Sequence, residues 1–217
     1  VIHGKIDTYY PAYINLRNKK VLVFGGGKIA ERKVCSLIKF GADNITVISP
    51  TITGKLEKEL KKGRIKHIPR NFIRNDLKNA FLVIAATNDK SINKKIAREA
   101  DCLVNVVDTP ELCNFIVPST IKRGALTIAI STCGTSPALS KTIRKELERQ
   151  FGKEYSDFTR FLYFIREKAK KEIKDNCIRN TFLRSVASKD ILQLLKNSCL
   201  KEAKELILKN LQKISKG

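Results

Sequence analysis

The sequence predicts an α/β chain. It should open with a parallel sheet doubly wound by helices, continue through a small strand-helix segment, and end in a helical domain. Three observations carry this. Short apolar runs alternate with segments of helical period over the first half of the chain. The run at residues 81–86 is continuously apolar, as a strand buried on both faces must be. Beyond residue 137 the apolar positions recur at helical spacing almost to the end.

The elements follow in order. Tyr9, Pro11, Tyr13, Ile14 and Leu16 read as an extended lead-in. Residues 20–24 form a first strand, which stops at Gly25-Gly26-Gly27. A helix then runs over residues 28–40, with Ala30, Val34, Leu37 and Ile38 on one face and Gly41 as its stop. Residues 45–48 are a second strand, broken by Pro50. Residues 53–62 are a helix ended by Gly63, and residues 65–68 are a third strand ended by Pro69. The strand at 81–86 is followed by a helix over 91–100, with Ser91 as N-cap, and by a strand over 103–107. After Asp108 the pattern changes. Residues 115–118 are extended, residues 125–130 form a strand, and a polar loop at 131–137 feeds a helix with Ser136 as N-cap and Pro137 in its first position. In the helical remainder Phe158, Phe161, Leu162, Ile165, Ile191, Leu194 and Leu195 are core candidates. The expected division is residues 1–111, 112–147 and 148–217.

The glycine turn is the most informative stretch. Gly25, Gly27 and Ala30 fit the G-x-G-x-x-G/A pattern of a Rossmann dinucleotide site, with a strand before and a helix after. The first glycine permits the turn, the second lets backbone approach a pyrophosphate, and the small third residue lets helix pack on strand. The helix start offers free N–H groups and a positive dipole end to phosphate. Further candidates must follow the carboxyl ends of strands. Pro50 and Thr51 follow the second strand, where the acid that often reads an NAD ribose is missing; Asp43 precedes the strand, at the wrong edge. Thr87 and Asn88 follow the buried strand and either line the cofactor's path or form a loop that caps the next helix. Asp108 follows the last strand. Partial burial there would make it a usable base, and a plain turn aspartate before Thr109-Pro110 fits the same residues.

Composition limits the partners. The 217 residues carry a net charge of +22, and 42% of them are hydrophobic. That charge attracts anions, although it also serves solubility alone. No apolar run approaches the roughly 20 residues that span a bilayer, and residues 1–7 carry no leader-like apolar core, so a cytoplasmic protein without a membrane partner is expected. No helix-turn-helix, RNP or zinc-finger pattern appears, so no nucleic acid is expected. The six cysteines form no C-x-x-C pair, and His3 and His67 do not join them in metal-ligand spacing; reduced thiols and no resident metal are expected.

Five motifs occur in one order: GGGKIAERK at 25–33, AATND at 85–89, NVVDTP at 105–110, FIVP at 115–118 and STCGTSP at 131–137. Together, from about residue 10 to 147, they resemble the precorrin-2 dehydrogenase family, also found as the N-terminal module of siroheme synthase. The resemblance implies oxidation of precorrin-2 to sirohydrochlorin with NAD as hydride acceptor. In some members it also implies insertion of Fe²⁺ as a substrate, and it implies a homodimer. It places the essential aspartate at Asp108 and cofactor contacts at Lys28, Ile29, Pro50 and Thr51. Thr132-Cys133-Gly134 departs from the family's usual glycine pair. Precorrin-2 carries many carboxylates, so Arg123, Lys141 and Arg144 near the polar loop are candidate substrate contacts. A non-enzymatic Rossmann module that senses a nucleotide is the alternative, and it would need no base at Asp108.

Overall fold

The computed structural model describes residues 8–216. His3 and the leader reading at residues 1–7 fall outside them. The chain forms two compact units that meet between Val117 and Pro118.

The first unit is a five-stranded parallel sheet of order β3-β2-β1-β4-β5. Its strands are β1 (Val21–Phe24), β2 (Ile45–Ile48), β3 (Lys66–Ile68), β4 (Leu82–Ala85) and β5 (Leu103–Val106). Helices α1 (Lys28–Lys39), α2 (Gly54–Lys61) and α3 (Lys90–Glu99) link them. Alternation along β1 explains the two layers. Val21 and Val23 pack with Ala30 and Val34 of α1 and Leu56 of α2. Leu22 and Phe24 pack with Ile96 of α3, Val83 and Val106. The central strands β1 and β4 therefore have apolar cover on both faces, which is why β4 reads as an unbroken apolar run. Gly41, at φ 88, ends α1, and its N–H donates to Ile38 O. The N-cap of α3 is Asp89 rather than Ser91. Its carboxylate accepts from the Ser91 and Ile92 N–H groups, and the negative charge suits a helix start better than a hydroxyl does.

Register aligns the carboxyl ends. Ile68, Ile48, Phe24, Ala85 and Val106 lie in one row across the sheet. Whatever follows each of them gathers on one edge.

Residues 112–117 belong to the first unit, beyond the boundary expected at residue 111. Asn114 Oδ1 accepts from Val104 N–H at 2.7 Å, and Asn105 Nδ2 donates to Phe115 O at 3.2 Å. Asn114 on the segment and Asn105 on β5 thus stitch the two together.

The second unit begins with an antiparallel hairpin, β6 (Ser119–Arg123) and β7 (Leu126–Ile130). Sequence reading misses β6 because only Ile121 of that strand is fully buried. The turn needs Gly124, at φ 60 and crowded against Ser156. Helices α4 (Pro137–Gln150), α5 (Glu154–Glu172), α6 (Asn176–Ser185), α7 (Lys189–Lys196) and α8 (Leu200–Lys216) follow. Ser136 caps α4 as expected, accepting from Leu139 N–H. Phe158, Ile165, Ile191 and Leu195 are buried, with Phe161, Leu162 and Leu194 packed against them. The hairpin, α4 and the later helices form one compact unit, with no division near residue 147. The six cysteines are free thiols, and no described helix is long and apolar enough to cross a membrane.

Candidate active site

The edge made by the strand ends holds a cavity of about 480 Å³. Gly25, Gly26 and Gly27 line it, with Ser49 to Thr53 after β2, Asn71 and Phe72 after β3, and Ala86 to Asp89 after β4. Glycine is required here for two separate reasons. A Cβ on Gly25 would stand 2.3 Å from Ala86 O, and one on Gly26 would stand 1.9 Å from Thr51 O. Gly25 also sits at φ 111. These two glycines let three loops close together. Gly27 is different: a Cβ there would meet nothing within 4 Å. It would project into open space beside the start of α1, where a pyrophosphate belongs. The turn therefore fits a dinucleotide. Sequence reading assigned roles to Gly25 and Gly27 and gave none to Gly26, although the run of three glycines was the available signal.

A hydrogen-bond network holds this cradle. Thr53, the N-cap of α2, donates its N–H to Gly26 O at 3.1 Å and its hydroxyl to Glu31 Oε2 at 2.6 Å. Glu31 is only 7% exposed, and the Lys28 ammonium stands 3.4 Å from its carboxylate. The Thr53 hydroxyl, then Lys28, hold the Glu31 carboxyl below the usual carboxylate range against the opposing pull of burial. Around the cavity, Arg70 makes a two-pronged pair with Asp76, at 2.9 and 2.6 Å, and so braces the loop that carries Asn71 and Phe72. Phe72 sets its ring edge-on to Phe24 at 5.1 Å. Burial pushes the Asp76 carboxyl up, but the Arg70 fork and the Ile73 N–H outweigh it and leave the group lowered. Glu31 lies in the GGGKIAERK motif but received no role there, and Arg70 lies in no motif, since each works through a partner elsewhere in the chain.

The structure distributes the remaining candidates as follows. Pro50 and Thr51 line the cavity at the end of β2, where no acid stands among its lining residues except Asp89 after β4. Lys28 and Ile29 begin α1 directly after the turn and do not line the cavity. Thr87 and Asn88 do line it, and the Thr87 loop also has an internal role: Thr87 Oγ1 donates to Asn93 Oδ1 at 2.7 Å, and Asn93 Nδ2 donates back to Thr87 O. Arg123 donates to Phe151 O and Lys122 O within the second unit, and Arg144 pairs with Glu148. Lys141 is exposed on α4.

Asp108 stands just past β5, on the same carboxyl edge as the glycine turn but outside the cavity lining. It is exposed, not partly buried as the sequence suggests, because the chain turns outward there through a left-handed backbone, φ 58. Next to it is a cluster that the sequence did not reveal. Lys33 of α1 is half-buried and donates to Oδ1 of buried Asn105 at 3.3 Å. Asn105 Nδ2 in turn reaches Cys113 Sγ, which also accepts from Val106 N–H. Burial draws the Lys33 ammonium below the usual lysine range; the Cys113 thiol opposes this, Arg32 adds to it, and Asp108 opposes it.

The class follows from the turn and the sheet: this is a Rossmann dinucleotide-binding domain, and NAD is the cofactor its cradle fits. Residues 12–119 match the family model described as putative NAD(P)-binding, and residues 123–150 match the one described as sirohaem biosynthesis protein central. The chain is 41% identical over 179 residues to the siroheme synthase of Methylobacillus flagellatus, which covers 81% of this chain and 38% of that protein. It is 35% identical over 212 residues to the siroheme synthase of Actinobacillus succinogenes, covering 96% and 44%. The chain thus spans about two fifths of the length of these relatives. A solved structure titled SirC, precorrin-2 dehydrogenase, superposes with a TM-score of 0.80 and 30% identity, over 94% of this chain and all of that one. The chain belongs to the precorrin-2 dehydrogenase family, the module shared with the N-terminal part of siroheme synthases.

Proposed function

We propose that this chain oxidises precorrin-2 to sirohydrochlorin, passing a hydride to NAD⁺ and a proton to Asp108. One observation carries the reading most strongly: a glycine cradle open at Gly27 and a carboxylate at Asp108 share one edge of the sheet, on a chain similar over its length to a precorrin-2 dehydrogenase. NAD⁺, when bound, supplies the hydride acceptor. The chain's own part is binding, orientation and proton uptake. Gly27 and the first N–H groups of α1 take the pyrophosphate. Ser49, Pro50 and Thr51 receive the adenosine ribose, and Thr87 and Asn88 line the way toward the nicotinamide. Asp108 accepts the proton that leaves as the hydride departs, so electrons and protons balance. Lys141, which the structure leaves exposed on α4, is the first of the basic candidates on the second unit to meet substrate carboxylates; Arg123 and Arg144 would first have to leave internal partners.

The finer features belong to the same proposal. The enzyme works in the cytoplasm as a homodimer; exposed Leu139, Tyr163 and Phe164 on α4 and α5 supply apolar surface for the contact. Residues 112–147 serve as its dimerisation segment, and the helices of residues 148–217 complete the second unit. Fe²⁺ is a second substrate, with exposed Asp108 accepting the two pyrrole protons that the metal displaces one at a time and passing each to water. The decisive test is an anaerobic assay of the purified chain with precorrin-2 and NAD⁺, followed by Fe²⁺. Formation of NADH with sirohydrochlorin supports the reading, and its absence in a folded, NAD⁺-binding protein sinks it.

A further inference from the structure

Lys33 is a half-buried ammonium whose hydrogen-bond partner is a neutral amide oxygen. Among the described residues no carboxylate comes within ion-pair distance of it. A cation taken partly out of water and given only an amide in return has lost hydration without gaining an opposite charge. The position is built, not incidental. Asn105, 8% exposed, turns its Oδ1 to Lys33 while its Nδ2 is fixed by Phe115 O and Cys113 Sγ, so the amide cannot swing away. Asn105 is a residue of β5, and Asp108 follows the same strand past its end.

We infer that Lys33 is a substrate-anchoring residue, whose ammonium takes one carboxylate of an anionic tetrapyrrole and so sets the ring beside Asp108. The inference rests on the proposed function and adds a residue to it. Three features of the cluster suit the role. The cation is tethered to Asn105, on the strand that the proposed base follows, so the anchored group would lie toward the reacting carbon. A partly desolvated ammonium binds a carboxylate more strongly than a solvated surface lysine does. An amide tether fixes its direction without neutralising it. The Asp108 carboxylate and the Cys113 thiol are the groups of opposite or potential opposite charge in its field, and Arg32 is the neighbouring cation. An arriving substrate carboxylate supplies the charge that the protein leaves out.

The test is a titration of the NAD-free protein with sirohydrochlorin under anaerobic conditions, read by absorbance, for wild type, Lys33→Met and Lys33→Arg. Calorimetry with NAD⁺ on the same three proteins checks that the fold and the cradle are intact. Lys33→Met should bind sirohydrochlorin at least about tenfold more weakly, the scale of one charge-assisted contact. Lys33→Arg should restore most of the affinity, and NAD⁺ binding should not change. In turnover, Lys33→Met should raise KM for precorrin-2 more than it lowers kcat, the mark of lost binding and not of lost chemistry. Lys33→Gln, neutral and able to keep the Asn105 contact, makes the same point if the methionine variant does not fold. Wild-type affinity in the neutral variant overturns the inference alone. A folded wild type that binds no sirohydrochlorin overturns the proposed function, and the inference with it.

Discussion

The Thr53 hydroxyl donates to Glu31 Oε2 at 2.6 Å, and that single bond ties the first helix to the loop that walls the nucleotide cavity. The same threonine holds Gly26 O through its N–H and caps α2. Thr53→Val removes the hydroxyl while keeping the shape, and it leaves a buried carboxylate without its main donor. NAD⁺ affinity should fall by about tenfold, as expected for one hydrogen bond to a charged group. Asp108 and its surroundings are untouched, so kcat at saturating NAD⁺ should stay near normal. Calorimetry with NAD⁺ and a saturation curve check both halves.

The glycine turn separates cofactor space from backbone space. Gly27→Val should fold normally, because its Cβ meets nothing within 4 Å, and should bind NAD⁺ too weakly to measure. Gly26→Ala adds fewer atoms and does more harm, since its Cβ would lie 1.9 Å from a carbonyl oxygen. Its melting temperature should drop by several degrees, the scale of a 1–3 kcal/mol overpacking penalty. If Gly27→Val binds NAD⁺ as the wild type does, the pyrophosphate lies elsewhere.

Acid should open the cavity before it unfolds the chain. Asp89 lines it, Glu31 and Asp76 hold segments that wall it, and all three carboxyls are held below their ordinary values: Glu31 by the Thr53 hydroxyl, Asp76 by the Arg70 fork and the Ile73 N–H against burial, and Asp89 by the Ser91 hydroxyl and the α3 N–H groups. A lowered folded value means the stabilisation is present above the unfolded carboxylate range of about 4 and is lost as pH falls through the folded value. NAD⁺ affinity should therefore decline below about pH 4 in advance of the far-ultraviolet unfolding transition. Asp76→Asn, which cannot titrate, should lower NAD⁺ affinity already at neutral pH by loosening the Phe72 loop and should make the acid decline shallower. Coincident binding and unfolding curves in both proteins would contradict this.

Asp108→Asn should keep NAD⁺ affinity and lose most turnover, by ~10²–10⁴ as for removal of a positioned base. Asparagine is chosen over alanine because it adopts the φ of 58 at little cost. Near-normal precorrin-2 oxidation would reassign the residue, and loss of Fe²⁺ insertion alone would confine it to the metal step.

The strand-helix alternation and the Gly25–Gly27 pair could be read from the chain because they are local: apolar period and turn chemistry lie within about ten residues of each other. What sequence reading missed is pairwise and distant. Glu31 and Lys33 lie in the GGGKIAERK motif, but nothing local shows that Thr53 comes to the one and that Asn105 tethers the other. Strand β6 escaped for a related reason, since Ile121 alone carries its buried face and the pairing with β7 defines the rest. The Asp108 position followed from the strand order, but its exposure did not, because a left-handed turn leaves no apolar signature.

That left-handed turn also limits how the position can drift over generations. Asparagine and glycine take such a backbone cheaply, and a single nucleotide change reaches either from aspartate. A lineage that no longer needs the oxidation step can therefore abandon its carboxylate without disturbing the turn, and would keep the nucleotide cradle behind it. Other replacements bring strain into the junction between β5 and the Cys113 segment, and selection for folding alone would remove them. Retired copies of this enzyme should then be recognisable by intact glycines and an uncharged Asn or Gly at this site, surviving as modules that hold a nucleotide and transform nothing.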